Sequence, residues 1–210
     1  MKSADLRAQL ARGRAQLDVK LPAGAEDALL DFVTLLVKWN ATYNLTAVRA
    51  PTDMVSKHLL DSLSVLPFLH GERIVDVATG AGLPGIPLAL ACPERHFVLL
   101  DSNGKKTRFV THAVTTLGLH NVEVVQARAE DYRPEQPFAT VISRAFAAIL
   151  DFLRLAGHLG AADGRFLAMK GMPPEAELRE LPAGFRRVAV HPLRVPGLEA
   201  GRCVVEIEKL

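Results

Sequence analysis

Three glycines follow a short apolar run in the spacing used by turns that hold nucleotide-like cofactors. Gly80, Gly82 and Gly85 form a G-x-G-x-x-G pattern after a strand-like run and before a helical stretch. Glycines let backbone amides approach a ligand closely, and the N-terminus of the following helix favours a negative group. That group can be a pyrophosphate or the carboxylate of a methionine-type cofactor. The pattern therefore predicts a cofactor-binding turn and leaves the choice of cofactor open.

Two carboxylates lie near this turn and bear on that choice. Asp76 is inside the preceding strand, where it would attract a ligand ammonium group and repel a pyrophosphate. Asp101 ends the second strand-like run, where it can accept hydrogen bonds from ribose hydroxyls or serve as a turn or capping residue. Asp76 favours S-adenosylmethionine as the cofactor, and we expect both carboxylates to belong to its site.

The elements that must position these residues change character near residue 71. Up to about His70 the pattern is helical, and from Ile74 onward strand-like runs alternate with helical ones. Such alternation predicts a parallel sheet with helical crossovers. The predicted helices are 25–40, 53–66, 85–92, 104–117, 145–159 and 174–181, and the predicted strands are 74–78, 97–100, 122–126, 139–142 and 165–169.

The C-terminal part has a different pattern. Residues 185–195 and 202–208 are strand-like, with no helix between them, and predict an antiparallel hairpin. We expect an α/β fold with a doubly wound, mostly parallel sheet, closed by an antiparallel edge strand from this hairpin. Residues 1–70 would form a helical N-terminal extension packed on the main domain, and residues 71–210 the cofactor-binding domain.

The bulk composition is that of an ordinary globular protein. The chain has 210 residues, is 49% hydrophobic and 23% charged, and carries a formal net charge of +2, which permits a polyanionic partner without requiring one. Cys92 and Cys203 do not have the spacing of metal ligands, and we expect both to be free thiols. No apolar stretch is long enough for a signal peptide or a membrane span. We expect a cytoplasmic protein with no metal site.

The chain closely resembles one family from about Leu29 to Glu208, and six short segments are the most specific pieces of that resemblance. They are 38–46 (KWNATYNLT), 58–62 (HLLDS), 82–87 (GLPGIP), 100–106 (LDSNGKK), 142–146 (ISRAF) and 169–171 (MKG). On these segments the chain resembles the bacterial small-subunit ribosomal RNA methyltransferase G family, also called glucose-inhibited division protein B. The resemblance implies a Rossmann-like class I methyltransferase fold and S-adenosylmethionine as cofactor.

The resemblance also implies a substrate and a set of cofactor contacts. The implied reaction is methyl transfer to guanine N7 of the 530-loop guanosine in 16S rRNA, free or in the small ribosomal subunit. The family pattern places cofactor contacts at Ala78, Leu83, Ala129, Glu130 and Arg144. This chain has alanine at position 78, where family members usually carry glycine. If the position needs a positive φ, alanine strains the loop by roughly 1 kcal/mol.

The chemistry of N7 methylation fits the residues present. Guanine N7 has a free lone pair and can attack a sulfonium methyl in line without a general base, so catalysis can rest on positioning and electrostatics. Arg144, after the fourth strand, could hold the cofactor, guanine O6 or a phosphate, or could make a structural salt bridge. Glu130, after the third strand, could meet the adenine amino group or belong to a solvated helix start.

Four basic residues are candidates for a rim that binds RNA phosphates. They are Lys105, Lys106, Arg108 and Lys170. His58 lies among apolar helical neighbours and is expected to be a hydrogen-bonded core histidine, while Asn40, Tyr43 and Asn44 could cap helices or contact RNA. We expect a monomer.

Two other classes of protein remain as alternatives. An NAD(P)-dependent oxidoreductase can use the same glycine turn, but Asp76 and the absence of a Tyr-x-x-x-Lys motif speak against it. A non-enzymatic RNA-binding module would not need a complete cofactor pocket. Binding of S-adenosylhomocysteine or NADH separates these alternatives.

Overall fold

The structure is a computed structural model that describes residues 3–179 and 181–210. Its strands are β1 (Arg73–Val77), β2 (His96–Asp101), β3 (Val122–Gln126), β4 (Phe138–Ser143), β5 (Gly160–Lys170), β6 (Phe185–Leu193) and β7 (Arg202–Lys209). Its helices are α1 (Ser3–Gln16), α2 (Ala25–Tyr43), α3 (residues 51–63), α4 (Gly85–Ala91), α5 (Gly104–Thr116) and α6 (Ile149–Ala156). Short 3-10 turns occur at Leu66–Phe68, Gly157–Leu159 and Glu177–Arg179.

The seven strands form one sheet in the order β3-β2-β1-β4-β5-β7-β6. The first five strands are parallel, which places the carboxyl ends of β1, β2, β3 and β4 at one edge. Strands β1 and β2 are almost continuously buried because helices cover both faces of a doubly wound sheet. The predicted α/β fold is confirmed.

The C-terminal hairpin is confirmed, and it closes the sheet as expected. Strand β7 lies between β5 and β6 and is antiparallel to both, so the sheet ends on β6, and β7 occupies an inner position. Strand β7 is apolar enough for that position, since Cys203, Val204, Val205 and Ile207 are buried. The sequence pattern identified the hairpin but could not show that its second strand is inserted into the sheet.

Two predicted helices are wrong in extent. The predicted helix 145–159 begins only at Ile149, because Lys170 binds the carbonyls of Phe146 and Ala147 and Glu177 accepts a hydrogen bond from the Ile149 amide at 2.6 Å. The predicted helix 174–181 is only the short turn Glu177–Arg179 within the described residues. Two consecutive prolines, 173 and 174, disfavour helical geometry at its start.

The N-terminal helices share one hydrophobic cluster with the sheet. Helix α2 buries Leu29, Phe32, Val33 and Leu36, spaced as one helical face, and Phe32 packs against Phe109 of α5 with ring centroids 6.2 Å apart. Helix α1 was not predicted as a separate element, and it adds Leu10 to the same cluster. Cys92 and Cys203 are both free thiols. No helix in the described ranges is long and apolar enough to cross a membrane.

Candidate functional site

The glycine-rich turn lies at the carboxyl end of β1 and is fastened to its neighbours by backbone hydrogen bonds. The Thr79 amide donates to the carbonyl of Leu100 on β2 at 3.0 Å, and the Gly82 and Leu83 amides donate to the Thr79 carbonyl at 3.0 and 2.9 Å. The turn is therefore a fixed surface beside the end of β2, as a cofactor cradle requires.

The three glycines of the turn serve different purposes. Gly80 has φ +62°, and a Cβ there would meet nothing closer than a carbonyl at 3.9 Å, so its face is open. Gly82 has φ +79°, and a Cβ there would collide with Ile86. A Cβ on Gly85 would collide with Leu99 of β2, so this glycine permits close packing of α4 on the sheet.

Ala78 adopts the left-handed conformation, with φ +57°. This is the conformation that glycine tolerates and that costs an L residue about 1–2 kcal/mol. The alanine at position 78 is therefore strained, and its side chain lines the cleft described below.

Asp76 is fully buried behind the turn. Its Oδ2 accepts hydrogen bonds from Oγ1 of Thr79 at 2.6 Å and from the amide of Gly85 at 2.8 Å. Burial raises the pKa of Asp76 to about 7, against the lowering effect of these two donors and of the Arg144 charge. Oδ1 is buried with no hydrogen-bond partner among the described residues. Asp76 thus holds the turn, and its contact with a cofactor ammonium stays a prediction.

Asp101, at the end of β2, joins the turn to the next loop. Its Oδ2 accepts from the Gly80 amide and its Oδ1 from the Asn103 amide, both at 2.8 Å. The capping of α5 is performed by Asn103, whose side chain accepts from the amides of Lys105 and Lys106. Each carboxylate oxygen of Asp101 keeps capacity to accept a further hydrogen bond.

A cleft of about 210 Å³ opens between the ends of β1, β2 and β3. We call it the first cleft; it is lined by Val77, Ala78, Leu100, Asp101, Ser102, Ala127, Arg128, Ala129, Glu130, Phe146 and Leu155. Its walls are part apolar and part polar, with two acidic groups and Arg128, whose Nη1 lies 3.7 Å from Oε1 of Glu130; this suits a nucleoside with free hydroxyl and amino groups. Four predicted residues, Ala78, Asp101, Ala129 and Glu130, therefore meet here.

Some lining residues of the first cleft were not predicted. Phe146 belongs to one of the family-like segments but was not predicted to lie in the site; its ring centroid lies 5.4 Å from that of Phe152. Leu155 reaches the cleft from α6. An aromatic ring after the fourth strand was the available signal for Phe146, whereas Leu155 depends on how α6 packs.

Leu83 and Arg144, also predicted cofactor contacts, do not line the first cleft. Leu83 is buried inside the turn. Arg144 lines a second cleft of about 490 Å³, where its Nη1 donates to Oδ2 of Asp61 and to the carbonyl of Lys57, both at 3.1 Å. The salt bridge considered as an alternative for Arg144 is present, so its role in cofactor binding stays a prediction.

The four candidate RNA-binding residues divide into two groups. Lys105, Lys106 and Arg108 lie in the first turns of α5, with Lys105 and Arg108 exposed and Lys106 half-buried. Lys170 does not form part of an open rim: its side chain is 11% exposed, its ammonium binds two backbone carbonyls, and Glu177 lies 3.6 Å away. The expected phosphate contact of Lys170 is therefore corrected to a structural one, because its donors are used inside the protein.

His58 is a hydrogen-bonded core histidine, as expected. Its Nε2 lies 2.9 Å from Oγ1 of Thr46 and its Nδ1 lies 3.0 Å from the carbonyl of Lys57. Burial, followed by the charge of Arg144, lowers the pKa of His58 to about 4, so the ring is neutral at pH 7. His58 and Thr46 tie the loop after α2 to α3.

Asn40 and Asn44 organise the loop that follows α2. The Asn40 side chain accepts from the Thr46 amide at 2.9 Å and donates to the Val48 carbonyl at 3.2 Å. Asn44 ends α2 in a left-handed conformation with φ +50°. Tyr43 is exposed and packs on Trp39 with ring centroids 5.2 Å apart.

The sequence is similar to one family over most of its length. A family model described as rRNA small subunit methyltransferase G matches residues 25–205. A protein of that name from Ectopseudomonas mendocina is 54% identical over 196 residues, which cover 92% of this chain and 92% of the relative. Another from Pseudomonas aeruginosa strain LESB58 is 51% identical over 195 residues and covers 92% of this chain and 91% of the relative.

Solved structures share the architecture at low sequence identity. A SAM-dependent methyltransferase from Aquifex aeolicus matches with a TM-score of 0.59 and 19% identity over 78% of this chain and 96% of the other. TrmN from Thermus thermophilus matches with a TM-score of 0.55 and 21% identity over 74% of this chain and 53% of the other. TYW2 from P. horikoshii, solved with MeSAdo, matches with a TM-score of 0.56 and 11% identity over 71% of this chain and 61% of the other. At such identities these likenesses show the fold alone.

Proposed function

This chain belongs to the rRNA small subunit methyltransferase G family, and from that premise we propose that it transfers a methyl group from S-adenosylmethionine to 16S rRNA. More specifically, we propose guanine N7 of the 530-loop guanosine as the acceptor. The observation that carries the proposal is the first cleft: strained Ala78 at the start of the glycine-rich turn, a carboxylate at the end of β2 and an acidic residue after β3 line one nucleoside-sized space.

The residues of the first cleft fit the nucleoside part of S-adenosylmethionine. Asp101 is held by two backbone amides and can still accept hydrogen bonds from ribose hydroxyls. Glu130 lines the same cleft and can accept from an adenine amino group, while Phe146 and Leu155 offer apolar faces. The open face of Gly80 leaves room for close approach to the turn. When bound, the cofactor supplies an electrophilic sulfonium methyl group.

The same residues are a poor match for a dinucleotide. Asp76 stands directly behind the turn, and Asp101 is bonded to the Gly80 amide, one of the donors that a pyrophosphate would use. The charge of Asp101, and that of Asp76 when its carboxyl group is ionised, favours a cationic ligand over a doubly anionic one. This supports the methionine-type cofactor.

Methylation of N7 requires the protein to orient the guanine and to provide suitable charges, and it requires no proton removal. The N7 lone pair is free, so the chain needs to hold the guanine in line with the methyl group and to exclude competing geometries. We assign this positioning to the edge of the sheet where β1 and β4 end, since Ser143 Oγ donates to the Val77 carbonyl at 2.7 Å and Arg144 follows directly. Residues 1–70 would then act as a helical extension that completes this edge.

The proposed setting is that of an rRNA-modifying enzyme. The partner is 16S rRNA or the small ribosomal subunit, the protein acts as a monomer, and it works in the cytoplasm with no membrane association. Lys105, Lys106 and Arg108, on the first turns of α5, are proposed to contact RNA phosphates.

The cofactor assignment is tested by calorimetric titration with S-adenosylhomocysteine and with NADH. We expect binding of S-adenosylhomocysteine only. Asp101→Asn should weaken that binding about 10- to 100-fold, because hydrogen bonds to a charged group contribute about 1.5–3 kcal/mol. Asp163→Asn, at an exposed position of β5 away from the cleft, is the control and should bind as the unmodified protein does. Binding of NADH instead would refute the assignment.

The substrate assignment is tested on 16S rRNA from cells with and without this protein. Chemistry that cleaves RNA at 7-methylguanosine should cut the 530 loop only when the protein is present. An identical cleavage pattern in both RNAs would refute the assignment of guanine N7 as the methyl acceptor.

A further inference from the structure

A buried carboxylate joins two arginines that are far apart in the chain. Asp61, in α3, is 1% exposed; its Oδ2 lies 3.1 Å from Nη1 of Arg144 and its Oδ1 lies 3.2 Å from Nε of Arg202. Arg144 follows β4 and Arg202 begins β7, so the three residues come from three separate elements. One negative charge is thus shared between two positive ones.

The local geometry of α3 fixes this arrangement. Residues Val55–Leu60 form a π-helical turn, in which the Asp61 amide donates to the carbonyl of Ser56. The Lys57 carbonyl accepts from Nη1 of Arg144 at 3.1 Å. Insertions of π-helical geometry are frequent at functional sites. Here the turn supplies both the carboxylate and a carbonyl to the same guanidinium.

The two arginines form a wall of the second cleft, and the cleft carries an unbalanced positive charge. The other cations of this cleft have partners: Lys57 pairs with Asp53 at 2.9 Å and Lys170 with Glu177. His58 is neutral, because burial lowers its pKa to about 4. The excess charge therefore belongs to Arg144 and Arg202, which share Asp61.

Both guanidiniums have donors to spare. Within residues 3–179 and 181–210, the hydrogen bonds of Arg144 all use Nη1, and those of Arg202 use Nε and Nη1. The side chains are 26% and 27% exposed, and both arginines line the cleft. The planar fork of arginine matches the two oxygens of a phosphate group.

We propose that the second cleft binds a phosphodiester of the RNA beside the methylated nucleotide, through Arg144 and Arg202, and that Asp61 positions both guanidiniums. The proposal rests on the proposed function and adds a binding site and a positioning residue to it. One phosphodiester carries one negative charge, which balances the excess charge of the pair.

A phosphate fits this cleft better than the guanine itself. An arginine that binds guanine in the usual bidentate manner occupies O6 and N7. N7 is the atom to be methylated, so its lone pair must stay free. Arginines fixed by a buried carboxylate can instead hold the adjacent backbone and orient the base without contacting N7.

The test measures kcat, the RNA KM and the cofactor Kd of variants, using naked 16S rRNA or small subunits, whichever the unmodified protein methylates. Arg202→Gln should raise the RNA KM about 10-fold and reduce the slope of log KM against log salt by about 0.7, the value for one phosphate of single-stranded RNA. The Kd for S-adenosylhomocysteine should not change. Arg186→Gln, an exposed arginine on β6 that pairs with Glu208, is the control and should leave every value unchanged.

Asp61 requires a separate readout because its loss leaves two cations side by side. Asp61→Asn should lower kcat about 100-fold through misplacement of the substrate, while the RNA KM stays the same or falls, since positive charge is gained. Asp61→Glu, which keeps the charge, should restore part of kcat. Values of kcat are expressed per folded enzyme, counted by stoichiometric binding of S-adenosylhomocysteine, so that partial unfolding does not count as reduced activity.

Two results would overturn the inference without touching the proposed function. If the unmodified protein methylates 16S rRNA and Arg202→Gln keeps its salt dependence and KM, the cleft binds no phosphate. If kcat per folded Asp61→Asn enzyme is unchanged, Asp61 is only structural. If the unmodified protein methylates no RNA, the proposed function itself fails.

Discussion

The strained alanine of the glycine-rich turn leads to a prediction whose sign is unusual for a substitution to glycine. Ala78 has φ +57°, a conformation that costs an L residue about 1–2 kcal/mol. Glycine removes this cost but loses about 0.5–1 kcal/mol through the greater freedom of the unfolded chain. Ala78→Gly should therefore stabilise the protein by about 0.5–1 kcal/mol.

The assay is thermal unfolding followed by tryptophan fluorescence or calorimetry. For a chain of this size, 1 kcal/mol corresponds to about 2–4 °C in Tm, so Ala78→Gly should raise Tm by about 1–4 °C. The matched control is Ala129→Gly, because Ala129 lines the same cleft without a positive φ. There the unfolded-state effect and the loss of a partly buried methyl group act in the same direction, so Tm should fall.

Cofactor binding gives a second readout on the same pair of variants. Removal of the Ala78 methyl group takes a carbon atom from the wall of the first cleft and leaves its polar groups in place. Binding of S-adenosylhomocysteine to Ala78→Gly should therefore be at least as tight as binding to the unmodified protein. A fall in Tm for both glycine variants would show that the turn is not strained at position 78, and the reasoning would be refuted.

Three further predictions concern buried charges and the RNA surface. Burial raises the pKa of Asp76 from 3.8 to about 7, so the folded state keeps the proton that the unfolded state loses. As pH rises from about 4 to about 7, the protein should lose stability relative to Asp76→Asn by up to about 1.4 kcal/mol per pH unit in urea unfolding. Parallel curves of stability against pH for the two proteins would contradict this. For His58 the dependence of stability on pH has the opposite sign, because burial lowers its pKa from 6.5 to about 4. The protein should gain stability relative to His58→Gln as pH rises from about 4 to about 6.5, and a difference in stability that stays constant with pH would disprove the burial argument. Replacing Lys105 and Lys106 with Gln should reduce the slope of log RNA affinity against log salt by about 0.7 for each phosphate that the protein no longer binds. Lys170→Met should lower Tm and leave that slope unchanged, and the reverse pattern would show that Lys170 binds RNA.

The two clefts lie at the same edge of the sheet, and this placement follows from the parallel strands. Strands β1 and β4 are neighbours, so the turn after β1 and Arg144 after β4 lie close together. The charge of Arg144 lowers the pKa of both Asp76 and His58, which come from different elements. A cofactor and a nucleic acid backbone can therefore be held from one edge by adjacent side chains.

The sequence by itself determined the order of the strands and the glycine spacing of the turn. Parallel strands that are buried on both faces are short, mostly apolar runs, and each crossover must reach from the end of one strand to the start of the next. The alternation of strands and helices could therefore be predicted from the residues alone. The spacing of Gly80, Gly82 and Gly85, with Asp101 at the end of the next strand, marked the first cleft for a local reason: a turn of this shape requires glycine.

Only the tertiary structure decided which charged residues are free and which are paired. Asp61 meets Arg144 from 83 residues away and Arg202 from 141 residues away, and no local pattern encodes pairings at such separations. The ammonium of Lys170 is used inside the protein for the same reason, since it binds two carbonyls of the loop after β4. The sign of φ at Ala78 also depended on the structure, because the turn is held by bonds to β2 that override the preference of the residue itself.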